Sequence, residues 1–197
     1  MKYVPIALCL CLLLADAALA QDAPDLRPRH RGGAALQVGL DGGGDAMREF
    51  NPSTITAGQG VSVSLGGYYR PIESSPFEIT GLIGGKAGFF FPVRGGGYES
   101  NTWRVMAQVL GNYRFNNKWY VAGGLVYHIS PRFYDDDPAG TDVDFKNALG
   151  VTAEFGWSFI GVQYTYMRYS SDAFGDFDAS NVGLRFTMHF RKWHPIF

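Results

Sequence analysis

The feature that most constrains this chain is a period of two. From Ala34 onward, eight segments alternate apolar with polar or small residues, and none holds a period of 3.6. They run Ala34–Asp41, Gly60–Arg70, Phe77–Phe91, Thr102–Phe115, Trp119–Ser130, Phe145–Gly156, Phe159–Tyr169 and Asn181–Phe190. The last, NVGLRFTMHF, sets Val182, Leu184, Phe186, Met188 and Phe190 against Gly183, Arg185, Thr187 and His189. Each segment is thus a strand with one oily and one polar face. A soluble barrel turns the oily face inward, whereas a membrane barrel turns it toward lipid.

The connectors and the aromatic residues favour the membrane arrangement. Connectors alternate strictly between long and short, leaving four long loops at one end of an up-and-down array and three short turns at the other, the asymmetry of outer-membrane barrels. On the oily face, Tyr69, Phe77, Tyr113, Phe115, Trp119, Phe155, Trp157 and Phe190 mark the short-turn end, and Phe89, Phe91, Trp103, Tyr127, Phe145 and Tyr166 mark the other. Two aromatic bands about one bilayer apart fit girdles at the two interfaces. The girdle residues singled out are Tyr69, Phe77, Trp103, Tyr113, Trp119, Phe155, Tyr166 and Phe190. On the opposite face, Arg70, Glu78, Lys86, Arg104, Arg114, Lys146, Glu154 and Arg185 are expected to form a packed polar network, because eight strands enclose a space only wide enough for side chains.

Residues 1–20 read as a cleavable export signal, with Lys2, an apolar run from Val4 to Leu14 and the small-residue end Ala18-Leu19-Ala20. Both cysteines, Cys9 and Cys11, lie within it, so a disulfide framework is excluded for the exported chain. Beyond it no stretch approaches the ~18 apolar residues of a membrane helix. A net charge of −1 gives no basis for nucleic-acid binding. The expected organisation is a signal over 1–20, a periplasmic lead-in over 21–33, an all-β, eight-stranded antiparallel up-and-down transmembrane barrel over 34–190, and an extension over 191–197.

The strand count, the loop asymmetry and the terminal pattern Gly183, Phe186, Met188, Phe190 resemble the small bacterial outer-membrane barrels of the OmpA, OmpX and OmpW type. That resemblance covers essentially the whole mature chain, and it implies an outer-membrane location, contact with lipid and lipopolysaccharide, and insertion by the barrel assembly machinery. In that group the terminal strand is read as an assembly signal, here either Phe190 or, because RKWHPIF follows, Phe197. A monomer with a structural or surface-interaction role and no cofactor is expected. A narrow channel for small solutes, as in OmpW-like barrels, is the first alternative, and a lipid A-modifying enzyme is the second.

Two constellations raise chemistry. His128 and Ser130 would share one face of a strand and are similar to the His-x-Ser motif of lipid A deacylases. That motif lies on the closing hairpin, which here reads Met167-Arg168-Tyr169-Ser170, so no catalytic residue is assigned and His128 is expected to be a hydrogen-bonding partner in the lumen. Asp135, Asp136, Asp137, Asp142 and Asp144, with Asp172, Asp176 and Asp178, are acidic enough to interest a hard cation. They lack the spacing of a calcium loop, so solvated loops are expected and no metal site is assigned.

Overall fold

The computed structural model describes residues 31–50, 53–72, 75–89, 100–115, 118–135 and 142–190. Eight long strands follow the eight alternating segments: β1 Gly32–Gly42, β2 Gly60–Tyr69, β3 Phe77–Phe89, β4 Ser100–Arg114, β5 Trp119–Asp135, β6 Ala148–Trp157, β7 Ile160–Tyr166 and β8 Asn181–Phe190. Every strand pairs antiparallel with its sequence neighbours. β1 also pairs with β8, setting Leu36 opposite Met188, Val38 opposite Phe186 and Leu40 opposite Leu184, which closes the sheet and leaves the barrel no free edge. The expected signal, the lead-in up to His30, Phe91, Asp136, Asp137 and residues 191–197 lie outside the described residues.

The faces of this barrel are inverted relative to a soluble protein. Strand β6 alternates buried and exposed without a break, with Thr152 and Glu154 inside and Leu149, Val151 and Phe155 outside. Around the wall, Leu65, Ile83 and Leu149 each expose 60% or more of their surface, while Lys86, Arg104 and Arg185 expose 2% or less. Water would favour neither placement, because it penalises exposed apolar area and leaves buried charge expensive. Only hydrocarbon outside reconciles both, since lipid accepts the apolar wall and the charges can pair within.

The long loops carry structure of their own. After β1 the chain makes a hairpin of Ala46–Phe50 with Ser53–Thr56, and after β7 a second of Arg168–Ser171 with Gly175–Asp178. Val143–Asp144 folds back onto β5 at Arg132 and Phe133. The interior at this end is apolar: Ile55, Ala57, Met106, Val126, Phe133, Phe145, Met167 and Tyr169 form one buried cluster. The alternation does not foreshadow it, because Ile55 and Ala57 belong to a loop without periodicity.

Three expected placements differ in the structure. Strand β5 bulges at Ser130, which has a positive φ of 46° and donates its backbone N–H to Asn147 Oδ1 at 2.9 Å. The register between β4 and β5 shifts between Trp103 and Val105 at this point, an extra residue on one strand, and side chains beyond it change face. Ser130 is therefore exposed while His128 stays inside, so the two do not share a face. Across the bulge, Lys146 and Asn147 are both exposed, which breaks the alternation before β6 begins at Ala148. Phe145 consequently turns into the interior instead of the outer aromatic band, and Lys146 turns out of it.

Candidate functional site: the charged barrel interior

Three groups of polar side chains fill the barrel. Near the short-turn end, Glu78 at the start of β3 accepts from Arg70 Nη2 at 2.7 Å. Arg114 Nη2 stands 3.9 Å from the other carboxylate oxygen and His189 Nε2 3.3 Å from it. Register explains the meeting: Glu78 lies opposite Asn112 on β4, two residues from Arg114, while Arg70 follows the end of β2 beside it. Asn112 completes the group by donating to Thr80 Oγ1 at 2.9 Å.

The middle group centres on Asp41, the last residue of the first alternating segment. Its Oδ2 lies 2.9 Å from Lys86 Nζ and its Oδ1 2.7 Å from Arg185 Nη2. Arg185 donates from Nε to Gln163 at 2.9 Å, and Gln163 in turn donates to Glu154 at 3.0 Å. The Tyr120 hydroxyl donates to the remaining Glu154 oxygen at 2.6 Å. The result is one connected run from Lys86 through Asp41, Arg185, Gln163 and Glu154 to Tyr120. Its parts come from six of the eight strands, which ties the wall together across the lumen. A signal for Asp41 did exist in the sequence: a carboxylate is the natural partner for the basic excess of Lys86, Arg104 and Arg185 on that face.

The third group lies beneath the apolar cluster. Arg104 donates to Thr102 Oγ1 at 3.2 Å and to the backbone carbonyl of Gln59 at 2.8 Å, and its guanidinium carbon sits 5.9 Å from the Tyr169 ring centre. The Tyr169 hydroxyl lies 2.6 Å from His128 Nδ1. Thus His128 is buried against a tyrosine and a cation, with Ser130 on the other side of the wall. Among the described residues nothing brings a nucleophilic hydroxyl, a base and an orienting acid together at His128.

Of the eight residues expected inside, seven are placed there, with Arg114 at the mouth, and Lys146 is not. It pairs with Asp172 on the exterior of the long loops. Among the other described acidic side chains, Asp142 accepts from the Asp135 backbone N–H at 3.0 Å, and Asp144 pairs with Arg132 at 3.0 Å. Asp178 accepts from the Ser180 backbone N–H at 2.8 Å, and hydrogen bonding by Ser180 holds its carboxyl below the ordinary 3.8. Among the described residues no group of three or more His, Cys, Asp or Glu side chains is arranged to hold a metal ion.

The outward aromatic residues fall at two levels. Tyr69, Phe77, Tyr113, Trp119, Phe155 and Phe190 are exposed near the short turns, with Trp119 stacked on Phe155 at 5.2 Å. Trp103, Tyr127 and Tyr166 are exposed toward the long loops. Along β8, Val182, Leu184 and Phe190 are exposed and Phe186 half-buried, but Met188 is covered and Gly183 faces inward.

Neither a protein-family model nor a curated protein matches the sequence. Among solved structures, the chain is similar to Ail, the attachment invasion locus protein of Yersinia pestis. With the heparin analogue sucrose octasulfate bound, that structure is 9% identical over 80% of this chain and 97% of Ail, with a TM-score of 0.45. A further crystal structure of Ail gives 9% identity, the same coverage and a TM-score of 0.46. The backbone structure of Ail in a phospholipid bilayer nanodisc gives 11% identity over 80% and 99% of the two chains, with a TM-score of 0.35. For the present chain the architecture stands on its own strand pairing and on the inversion of its faces.

Proposed function

We propose that this chain is an integral outer-membrane β-barrel protein with a structural or surface-interaction role, exported with loss of residues 1–20 and inserted by the barrel assembly machinery as a monomer. The observation that carries the reading is the juxtaposition of an exposed apolar wall, banded by aromatics, with a buried, internally paired set of charges. Lipid and lipopolysaccharide are its partners along the wall, with Trp103, Tyr127 and Tyr166 at one interface and Tyr69, Phe77, Tyr113, Trp119, Phe155 and Phe190 at the other. Gly183, Phe186, Met188 and Phe190 on β8 carry the assembly signal, with Phe197 as the competing end.

The lumen argues for a structural role over a channel. Arg70, Glu78, Lys86, Arg104, Arg114, Glu154 and Arg185 each meet a charged or polar partner inside the barrel, and the cavity near Glu154, His189 and Thr187 encloses about 10 Å³, room for about one water. Catalysis by His128 is disfavoured by its burial against Tyr169. Fractionation is the test: the mature chain should sediment with outer membranes, resist carbonate extraction and migrate differently on gels with and without boiling. Recovery as a soluble periplasmic monomer would overturn the reading.

A further inference from the structure

We propose that residues 55–59 are a stopper seated inside the long-loop end of the barrel, and that Lys86 and Arg104 are the latch that holds it. The first long loop does not merely arch over the mouth. Ile55 and Ala57 are fully buried in the interior apolar cluster, and the chain then turns, with Gln59 donating its backbone N–H to the Thr56 carbonyl at 3.2 Å. From below, Lys86 Nζ donates to the Gly58 carbonyl at 2.8 Å and Arg104 Nη2 to the Gln59 carbonyl at 2.8 Å.

Lys86 and Arg104 are directly opposite each other on β3 and β4, which sets two buried cations side by side. Like charges so placed repel, and both must find acceptors. Asp41 takes one bond from Lys86; the stopper's two carbonyls take the next. A neutral carbonyl is an acceptor that water can replace, whereas the ion pair to Asp41 stays within the wall. The latch can therefore open without dismantling the barrel: the loop lifts, water replaces two carbonyls, and the apolar cluster that holds Met106, Val126 and Ala148 becomes accessible from the long-loop side. Gly58 reports how closely the stopper is seated, because a Cβ there would stand 2.7 Å from the carbonyl oxygens of both Gly43 and Ser180.

The sequence has no cysteine after Cys11, so a single introduced thiol reads access to this cluster. Ala148→Cys places it on the wall within the buried cluster, and Phe174→Cys supplies an exposed reference on the second hairpin. Labelling of the refolded barrel by a charged maleimide should be at least about a hundredfold slower at Ala148→Cys than at Phe174→Cys. Adding Lys86→Met with Arg104→Met should speed the Ala148→Cys reaction about tenfold or more while the unboiled gel shift persists. Ile55→Ser, which leaves the wall untouched, should do the same and decides the matter if the double variant fails to fold. Reaction at Ala148→Cys as fast as at Phe174→Cys in the parent chain, or no acceleration by Ile55→Ser, would overturn the stopper.

Discussion

Asp41 and Arg185 sit on the two strands that close the barrel, their side chains 2.7 Å apart and essentially buried. Space for the pair comes from Gly183, directly opposite Asp41: a Cβ there would overlap the Asp41 carboxylate and stand 2.6 Å from Arg185 Nη1. Glycine in this strand costs β-propensity and returns room for an ion pair. Since Asp41 also holds Lys86, its loss would strand two buried cations. Removing one partner of a buried pair typically costs about 3–5 kcal/mol, and water entering the lumen lowers that figure. Asp41→Ala should therefore reduce the denaturant midpoint of the refolded barrel by an amount equivalent to at least about 2 kcal/mol. Gly183→Ala should also lower it, whereas Asp176→Ala on the exposed hairpin should not. Equal midpoints for all four chains would remove this pair from the account of stability.

Glu78 permits a sharper test, because its cationic neighbours lie at different distances. Arg70 is hydrogen-bonded at 2.7 Å, while Arg114 is 3.9 Å away and more exposed. Contacting charged pairs in proteins couple by about 0.5–3 kcal/mol. Double-mutant cycles should place Glu78–Arg70 in the upper half of that range and Glu78–Arg114 below it. Coupling indistinguishable from zero in both cycles would mean that the short-turn end is not held by these charges, and the channel alternative would gain.

What could be read from the sequence follows from where the period of two holds. Within the membrane-crossing stretch of each strand, a one-residue slip would carry charge into lipid, so patterning is strict and Glu78, Lys86, Arg104, Glu154 and Arg185 are found inside by parity alone. Parity fails beyond Ser130, where one extra residue reverses the faces, and again at Asn147. Phe145 therefore lies inside and Lys146 outside, the reverse of what alternation alone predicts. Asp41 does not stand out in the sequence because an aspartate at a strand end is also an ordinary turn residue. The stopper is illegible on different grounds: Ile55 and Ala57 stand among Ser, Thr and Gly without repetition, and they are buried in one cluster with Met106, Phe145 and Met167, far away in sequence.

Sidedness gives a prediction independent of energetics. Ile72 lies exposed in a short turn, and Phe174 lies exposed at the tip of the hairpin in the last long loop. With long loops facing out, Phe174→Cys should react with an impermeant maleimide on intact cells, while Ile72→Cys should react only after the outer membrane is opened. The reverse pattern would contradict the orientation but not the barrel.

The pH response of the long-loop end should reflect Asp178. Hydrogen bonds from Ser180 hold its carboxyl below the ordinary 3.8, and its backbone N–H also donates to Asp45 Oδ2 at 2.7 Å. A carboxyl lowered in the folded chain stabilises it above the unfolded pKa, and that contribution is lost as pH falls through the folded value. The hairpin of Arg168–Ser171 with Gly175–Asp178 should thus hold its amide protection near neutral pH and lose part of it below about pH 4. Asp178→Asn should weaken this acid response at Ser180, which hydrogen exchange by NMR would detect. An unchanged response would assign it to other carboxylates.

The interior position of His128 leads to a chemical prediction. A nucleophilic mechanism needs the histidine within hydrogen-bond reach of a hydroxyl that substrate can approach. His128 Nδ1 instead meets Tyr169 Oη at 2.6 Å in a buried site, and the bulge at Ser130 turns that hydroxyl-bearing residue to the other face. A phenol in this position serves packing: Tyr169 also touches Phe145, with ring centres 5.3 Å apart. Tyr169→Phe should therefore cost about 1 kcal/mol, the net worth of one buried hydrogen bond, and His128→Ala more, because it also empties a packed site. Neither change, nor Ser130→Ala, should alter the acyl chains of lipid A when the protein is overproduced, as mass spectrometry of extracted lipid A would read directly. If overproduction removes an acyl chain and His128→Ala restores it, the histidine acts on lipid and the structural role proposed for this barrel is wrong.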